Sequence, residues 1–105
     1  MENVLTDNFN LEEYLKLFTS LKITILKDKK ILVLSLNRPK QLNALNDILF
    51  IELGHIFKNI ERILEKVDLR VIILKGEGKA FSSGLDLRSK IPQREEKKKN
   101  EDKWD

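Results

Sequence analysis

The sequence predicts an α/β fold in which a β-hairpin runs into a right-handed β-α-β crossover. Three observations carry that prediction. Leu21, Ile23 and Ile25 alternate with polar residues and, after the polar break Lys27-Asp28-Lys29-Lys30, give way to the apolar run Ile31 to Leu36. An amphipathic stretch follows, with Ile48, Leu49, Ile51, Ile56, Phe57, Ile60, Ile63, Leu64 and Val67 on one broad face. Then comes Val71-Ile72-Ile73-Leu74, short and aliphatic as a buried parallel strand is.

Each element has its own local reason. Asn10 followed by Glu13 forms a capping arrangement, and Leu11, Tyr14, Leu15 and Phe18 recur at helical spacing, which predicts a short N-terminal helix. The hairpin has one half-exposed strand and one more buried. Pro39 disfavours helix through Arg38, and the next helix begins at Asn46, whose side chain can cap it, with Asp47 placed against the positive helix end. One long helix is expected as far as about Lys66. Arg70 then leads into the last strand.

Strand, helix and strand in that order make a crossover, and crossovers are right-handed in almost all folds. The strands at 31–36 and 71–74 are therefore expected to be parallel, with their carboxyl ends on one sheet edge. The segments Arg38 to Ala44 and Gly76 to Leu87 both emerge there, at the edge where open α/β sheets bind ligands. After Ile91-Pro92 the chain is almost wholly charged until Trp104, too polar to order itself. The organisation read from this is an N-terminal helical segment over 1–20, a partial domain over 21–91 and a disordered tail over 92–105.

At 105 residues with 41% hydrophobic content, the chain supports one small domain. The net charge of +3 does not make a nucleic-acid site, because the basic residues are interspersed with acids and Lys97-Lys98-Lys99 sits in the mixed-charge tail. With no cysteine, a disulfide framework, a thiolate metal site and a cysteine nucleophile are excluded. No stretch approaches the roughly 18 to 20 consecutive apolar residues of a membrane span. The first residues carry acids and no arginine, unlike a transit or signal peptide, and the last do not match the peroxisomal tripeptide. An intracellular protein is expected.

The stretch Lys79-Ala80-Phe81-Ser82-Ser83-Gly84-Leu85-Asp86-Leu87 is the richest in chemistry. Gly84 can take a positive φ that side-chain-bearing residues resist, which would leave the Leu85 N–H outside the sheet ladder as a free donor. If a helix follows, its positive end would strengthen that donor. Local sequence alone favours an ordinary loop with Phe81 and Leu87 as core anchors, since a lone glycine loop is a weak signal. Gly76-Glu77-Gly78-Lys79 fails the P-loop template, since its glycines are too close and Ala80 stands where a hydroxyl is needed. His55 lies mid-helix with no paired ligand residue, so no metal site is read. Glu61 and Glu65, with Arg62 and Lys66 nearby, make a solvated charged face.

Phe81 to Leu87, taken with Leu36-Asn37-Arg38-Pro39 and Asn43-Ala44-Leu45-Asn46, resembles the crotonase superfamily of enoyl-CoA hydratases and isomerases. The resemblance covers about residues 18 to 90 and implies the N-terminal portion of a ClpP/crotonase-like fold. It implies that the Leu85 N–H is one of two oxyanion-hole amides, that Ser83, Gly84, Asp86 and Leu87 line the acyl-CoA path, and that Arg38, Lys40 and Ala44 lie near CoA, the cations beside its phosphates. Coenzyme A is then part of the substrate, with no separate cofactor. Ser82 to Leu87, the opening Phe18 to Ile23 and the turn Gly76 to Lys79 look closer to dienoyl-CoA isomerases than to hydratases.

The implied reaction shifts the double bonds of 3,5-dienoyl-CoA to 2,4-dienoyl-CoA through an enolate-like state, in fatty-acid β-oxidation. In the family the second amide, the acids and the trimerisation region come after the point where this sequence ends, and Glu77, Asp86, Glu95 and Glu96 match no catalytic position. Removing one oxyanion donor costs about a hundredfold to a thousandfold in rate. A truncated isomerase is therefore expected. The alternatives are a hydratase fragment or a non-catalytic remnant that binds CoA or a partner protein. Family members are trimers or hexamers, and the family implies a mitochondrial or peroxisomal location; without a targeting signal the cytoplasm is the default.

Overall fold

The computed structural model describes residues 9–88. The charged tail, the first eight residues and any helix beyond Arg88 lie outside them. The elements in chain order are α1 (Leu11–Leu15), β1 (Leu21–Leu26), β2 (Ile31–Leu36), α2 (Asp47–Lys58), α3 (Ile60–Lys66) and β3 (Val71–Gly76), with single 3-10 turns at Lys27–Lys29 and Pro39–Gln41. The sheet order is β1-β2-β3. β1 runs antiparallel to β2, from Leu21 opposite Leu36 to Leu26 opposite Ile31. β3 runs parallel to β2, from Ile31 beside Val71 to Leu36 beside Gly76. The predicted hairpin and crossover are both present.

Caps fall where the sequence placed them. The Asn10 side chain accepts the Glu13 N–H at 3.2 Å, and Asn46 accepts the Leu49 N–H at 3.0 Å. β2 is the central strand, so Leu32, Leu34 and Leu36 are almost completely buried, together with Leu21, Tyr14, Leu49, Ile56 and Ile63. Tyr14 packs edge to face on Phe18 and tilted against Phe9, at centroid distances of 5.3 and 5.4 Å. The Tyr14 hydroxyl lies 2.7 Å from His55 Nδ1, and burial pushes its pKa up to about 12. His55 is thus a half-buried helix residue packed on α1.

Two expectations change. The single helix to Lys66 is two helices, because Asn59 leaves the helical region at φ −108° and ψ 17° and its side-chain amide donates to the His55 carbonyl at 2.8 Å. Only a narrow stripe of Leu49, Glu52, Ile56 and Ile63 is buried, while Ile48, Ile51, Phe57 and Leu64 are exposed. β3 is the second correction. It forms, in the expected parallel register, but Val71, Ile72, Ile73 and Leu74 are each 41–49% exposed. A strand buried on both faces needs a layer on each face and a neighbour on each edge. Among the described residues β3 has its ladder with β2 alone, and α2 packs against β1, the strand at the opposite edge of the sheet.

Glu52 went unread in the sequence. Its carboxylate accepts the backbone N–H groups of Thr19, Ser20 and Leu21 at about 2.9 Å and the Thr19 hydroxyl at 3.1 Å. An acid on the buried stripe of α2 is the signal that marks it. It fixes α2 to the entry of β1 by charge-assisted bonds, which are roughly twice as strong as neutral ones.

Candidate functional site

The two loops that leave the carboxyl edge of the sheet meet, and Asn43 is what joins them. It is completely buried and sits at φ 54°, next to Leu42 at φ 50°, two successive left-handed residues. Asparagine tolerates that region better than most residues with a side chain. Its side-chain amide nitrogen donates to the carbonyls of Glu77 at 2.9 Å and Ala80 at 2.8 Å, and its amide oxygen accepts the Arg38 N–H at 2.8 Å. The turn after β2 is thereby tied to the turn after β3. Gly76 lets the second turn fold back, for a Cβ there would lie 2.5 Å from the Phe81 carbonyl oxygen.

The segment 81–87 is clipped on in three places. The Ser83 N–H donates to the Leu42 carbonyl at 2.9 Å, the Ser83 hydroxyl to the Gln41 carbonyl at 3.4 Å, and the Ser82 hydroxyl to the Asn43 carbonyl at 2.8 Å. Leu45 and Leu85 then form an isolated parallel bridge, in which the Leu45 N–H donates to the Gly84 carbonyl at 2.8 Å and the Asp86 N–H to the Leu45 carbonyl at 3.0 Å.

That bridge sets the direction of one amide. A trans peptide points its C=O and its N–H to opposite sides, so a Gly84 carbonyl turned toward Leu45 turns the Leu85 N–H away. Gly84 takes φ 95°, the positive value its lack of a side chain permits. The Gly84 N–H donates to the Ser82 hydroxyl oxygen at 3.1 Å and the Asp86 N–H is bonded as above. Of the three successive amides 84, 85 and 86, only that of Leu85 has no hydrogen-bond partner among the described residues. Its peptide is also polarised by the bond to its carbonyl, which strengthens the N–H as a donor. Such a group can hold a carbonyl oxygen.

Around the amide the surface is apolar: Leu42, Phe81, Leu85 and Leu87 are all exposed, so Phe81 and Leu87 are not core anchors. Arg38 turns inward. Its guanidinium donates to the Ala44 carbonyl and lies 3.4 Å from Asp86 Oδ2, the two side chains only 14% and 8% exposed. Lys40 stands exposed on the 3-10 turn. Bonds from Arg88, then from Arg38, hold the Asp86 carboxyl down from 3.8 to about 2, so it is ionised at neutral pH. Sequence reasoning placed Arg38 and Asp86 near a ligand without pairing them. No group of three or more histidine, cysteine or acidic residues that could hold a metal occurs among the described residues. A cleft of about 770 Å³ lined by Phe9, Leu15, Ile25 and Val67, among others, shares no residue with these loops.

Comparison with known proteins bears on the same residues. A family model described as enoyl-CoA hydratase/isomerase matches residues 27–105. The chain is 36% identical over 70 residues to a mitochondrial Delta(3,5)-Delta(2,4)-dienoyl-CoA isomerase from Homo sapiens, a match covering 67% of this chain and 20% of the relative. It is 42% identical over 62 residues to a peroxisomal isomerase of the same name from Arabidopsis thaliana, covering 59% of this chain and 21% of the relative. Among solved structures, an enoyl-CoA hydratase from Mycobacterium marinum superposes with a TM-score of 0.59 at 29% identity, covering 72% of this chain and 34% of that one. The chain thus spans about a fifth of the length of the curated relatives it matches.

Proposed function

The chain belongs to the enoyl-CoA hydratase/isomerase family, and from that premise we propose that its Leu85 N–H polarises the thioester carbonyl of an acyl-CoA in a 3,5-dienoyl-CoA to 2,4-dienoyl-CoA isomerase. The observation that carries the proposal is the peptide between Gly84 and Leu85, held at its carbonyl by Leu45 with its N–H turned outward. In the proposed reaction a base removes a proton from C2 of the 3,5-dienoyl group. The electron pair moves through the diene, and a proton is delivered at C6. Negative charge collects on the thioester oxygen between those steps, where a fixed donor stabilises it. Asp86 carries neither proton, being ionised and bound by two guanidinium groups.

Exposed Lys40 is the cation proposed for the CoA phosphates, while Arg38 holds the junction beneath it. Leu85 and Leu87 offer the acyl chain an apolar surface, and Ser83, Gly84 and Ala44 form the backbone path beside it. No separate cofactor is invoked, since coenzyme A arrives as part of the substrate. The isomerase reading is supported by the dienoyl-CoA isomerases among the relatives, which also supply the mitochondrial or peroxisomal compartment proposed here. The hydratase reading is supported by enoyl-CoA hydratases among the solved structures, that from Mycobacterium marinum being one.

The test is a titration of the full chain with butyryl-CoA and with free CoA, followed by amide NMR. The thioester is expected to bind more tightly and to move the Leu85 amide resonance downfield; equal binding of the two overturns the proposal. Turnover is then assayed with a 3,5-dienoyl-CoA and a 2-enoyl-CoA. Appearance of the conjugated dienoyl product supports the isomerase, loss of the enoyl absorbance the hydratase, and binding without turnover the non-catalytic reading.

A further inference from the structure

We infer that Ser82 is a positioning residue for the Leu85 amide, acting through a chain of hydrogen bonds that begins at Asn43. The hydroxyl of Ser82 can donate one proton and accept another, and it does both: it donates to the Asn43 carbonyl at 2.8 Å and accepts the Gly84 N–H at 3.1 Å. Asn43 is completely buried and tied by its side chain to Arg38, Glu77 and Ala80, so the carbonyl that orients the hydroxyl belongs to a residue anchored at three points. The next peptide, between Gly84 and Leu85, is the one that presents the outward N–H.

The geometry needs this brace because Gly84 lacks a side chain. A Cβ built there would meet nothing within 4 Å, so no packing restrains the residue, and glycine has the widest backbone freedom of any residue. Two anchors remain: the Ser82 hydroxyl at its N–H and the Leu45 N–H at its carbonyl. With both in place the dihedral angles of Gly84 are bounded from each end, and the Leu85 N–H has one direction. Without the hydroxyl the Gly84 N–H becomes a second unbonded amide that competes for the same ligand oxygen. The serine therefore selects which of two neighbouring amides is offered.

The inference rests on the reading of Leu85 as a thioester donor, but half of its test does not need a ligand. In the full chain, Ser82→Ala is expected to raise the exchange rate of the Gly84 amide about tenfold, leaving the core amides of Leu32 and Leu34 unchanged, and Ser82→Thr is expected to restore it. In the titrations, Ser82→Ala is expected to weaken butyryl-CoA binding about fivefold to tenfold while free CoA binding stays the same, with Ser82→Thr again restoring it. A general loosening of the fold would instead move both ligands and the core amides together. If Ser82→Ala does not fold, Ser82→Cys takes its place, with its weaker hydrogen bonds giving a smaller shift in the same direction. Unchanged Gly84 exchange, or an unchanged ratio of thioester to CoA affinity in a protein whose wild type shows that preference, overturns the inference. If the wild type shows no thioester preference, the function proposed above fails and the exchange rates of Gly84 alone decide the role of Ser82.

Discussion

Asn43 shows how much a single short side chain can organise. It satisfies two carbonyls and one N–H from segments on either side of the sheet edge while occupying a left-handed backbone position. Asn43→Asp keeps the shape and the left-handed tolerance but exchanges the two N–H donors for an oxygen facing two carbonyl oxygens. Urea denaturation at neutral pH is expected to show a loss of about 3 kcal/mol, since the buried carboxylate keeps the Arg38 N–H on one oxygen but turns the other against two carbonyl oxygens. A loss under about 1 kcal/mol would mean the side chain is not the pin described. In the sequence Asn43 was visible as part of a motif, and its αL tolerance was a usable clue; its partners were not, because Glu77 and Ala80 are met only once β3 has been laid beside β2. Glu52 was harder still. A single acid on an apolar helical stripe reads as an irregularity until the turn it caps is in place.

At the level of elements, strand and helix types were legible from periodicity and caps, and the parallel pairing of β2 with β3 followed from the crossover. What periodicity did not convey was burial. The aliphatic composition of Val71 to Leu74 and the wide apolar face of α2 and α3 describe what these elements are suited to cover, not what covers them. Among the described residues β3 has an exposed face and an unpaired outer edge, an association-prone surface. Ile73, which shares a face with the half-buried Val33, is the place to test this. Ile73→Lys is expected to lower self-association in concentration-dependent light scattering, with stability unchanged within about 0.5 kcal/mol. Leu34→Ala, at the centre of the sheet, is expected to cost about 3 kcal/mol. If Ile73→Lys proves as destabilising as Leu34→Ala, then β3 is buried in solution.

For the whole molecule, acid is the condition expected to weaken the Arg38–Asp86 tie between the two loops. Lys30 and then Arg70 hold Asp68 below the ordinary carboxylate range, Lys75 and then Lys22 do so for Glu77, and Arg88 and then Arg38 hold Asp86 near 2. A carboxyl whose folded pKa is depressed adds stability that is fully present above its unfolded value and disappears as pH falls through the folded one. The contribution of Asp86 should therefore be complete above about pH 4 and lost toward pH 2. Melting temperature measured across that window is expected to fall, and Asp86→Asn is expected to flatten the fall while lowering the plateau at neutral pH. A fall of the same steepness in Asp86→Asn would assign the acid sensitivity elsewhere. The order of the chain made these loops neighbours and the sequence motifs marked them, yet the inward Arg38 and its pairing with Asp86 depended on a contact across 48 positions. The bridge between Leu45 and Leu85 carries one more consequence. Because the side chain at 85 makes none of the bonds that aim its own N–H, it is uncoupled from that donor, and evolution or design can exchange it to suit a different ligand while the donor stays where it is.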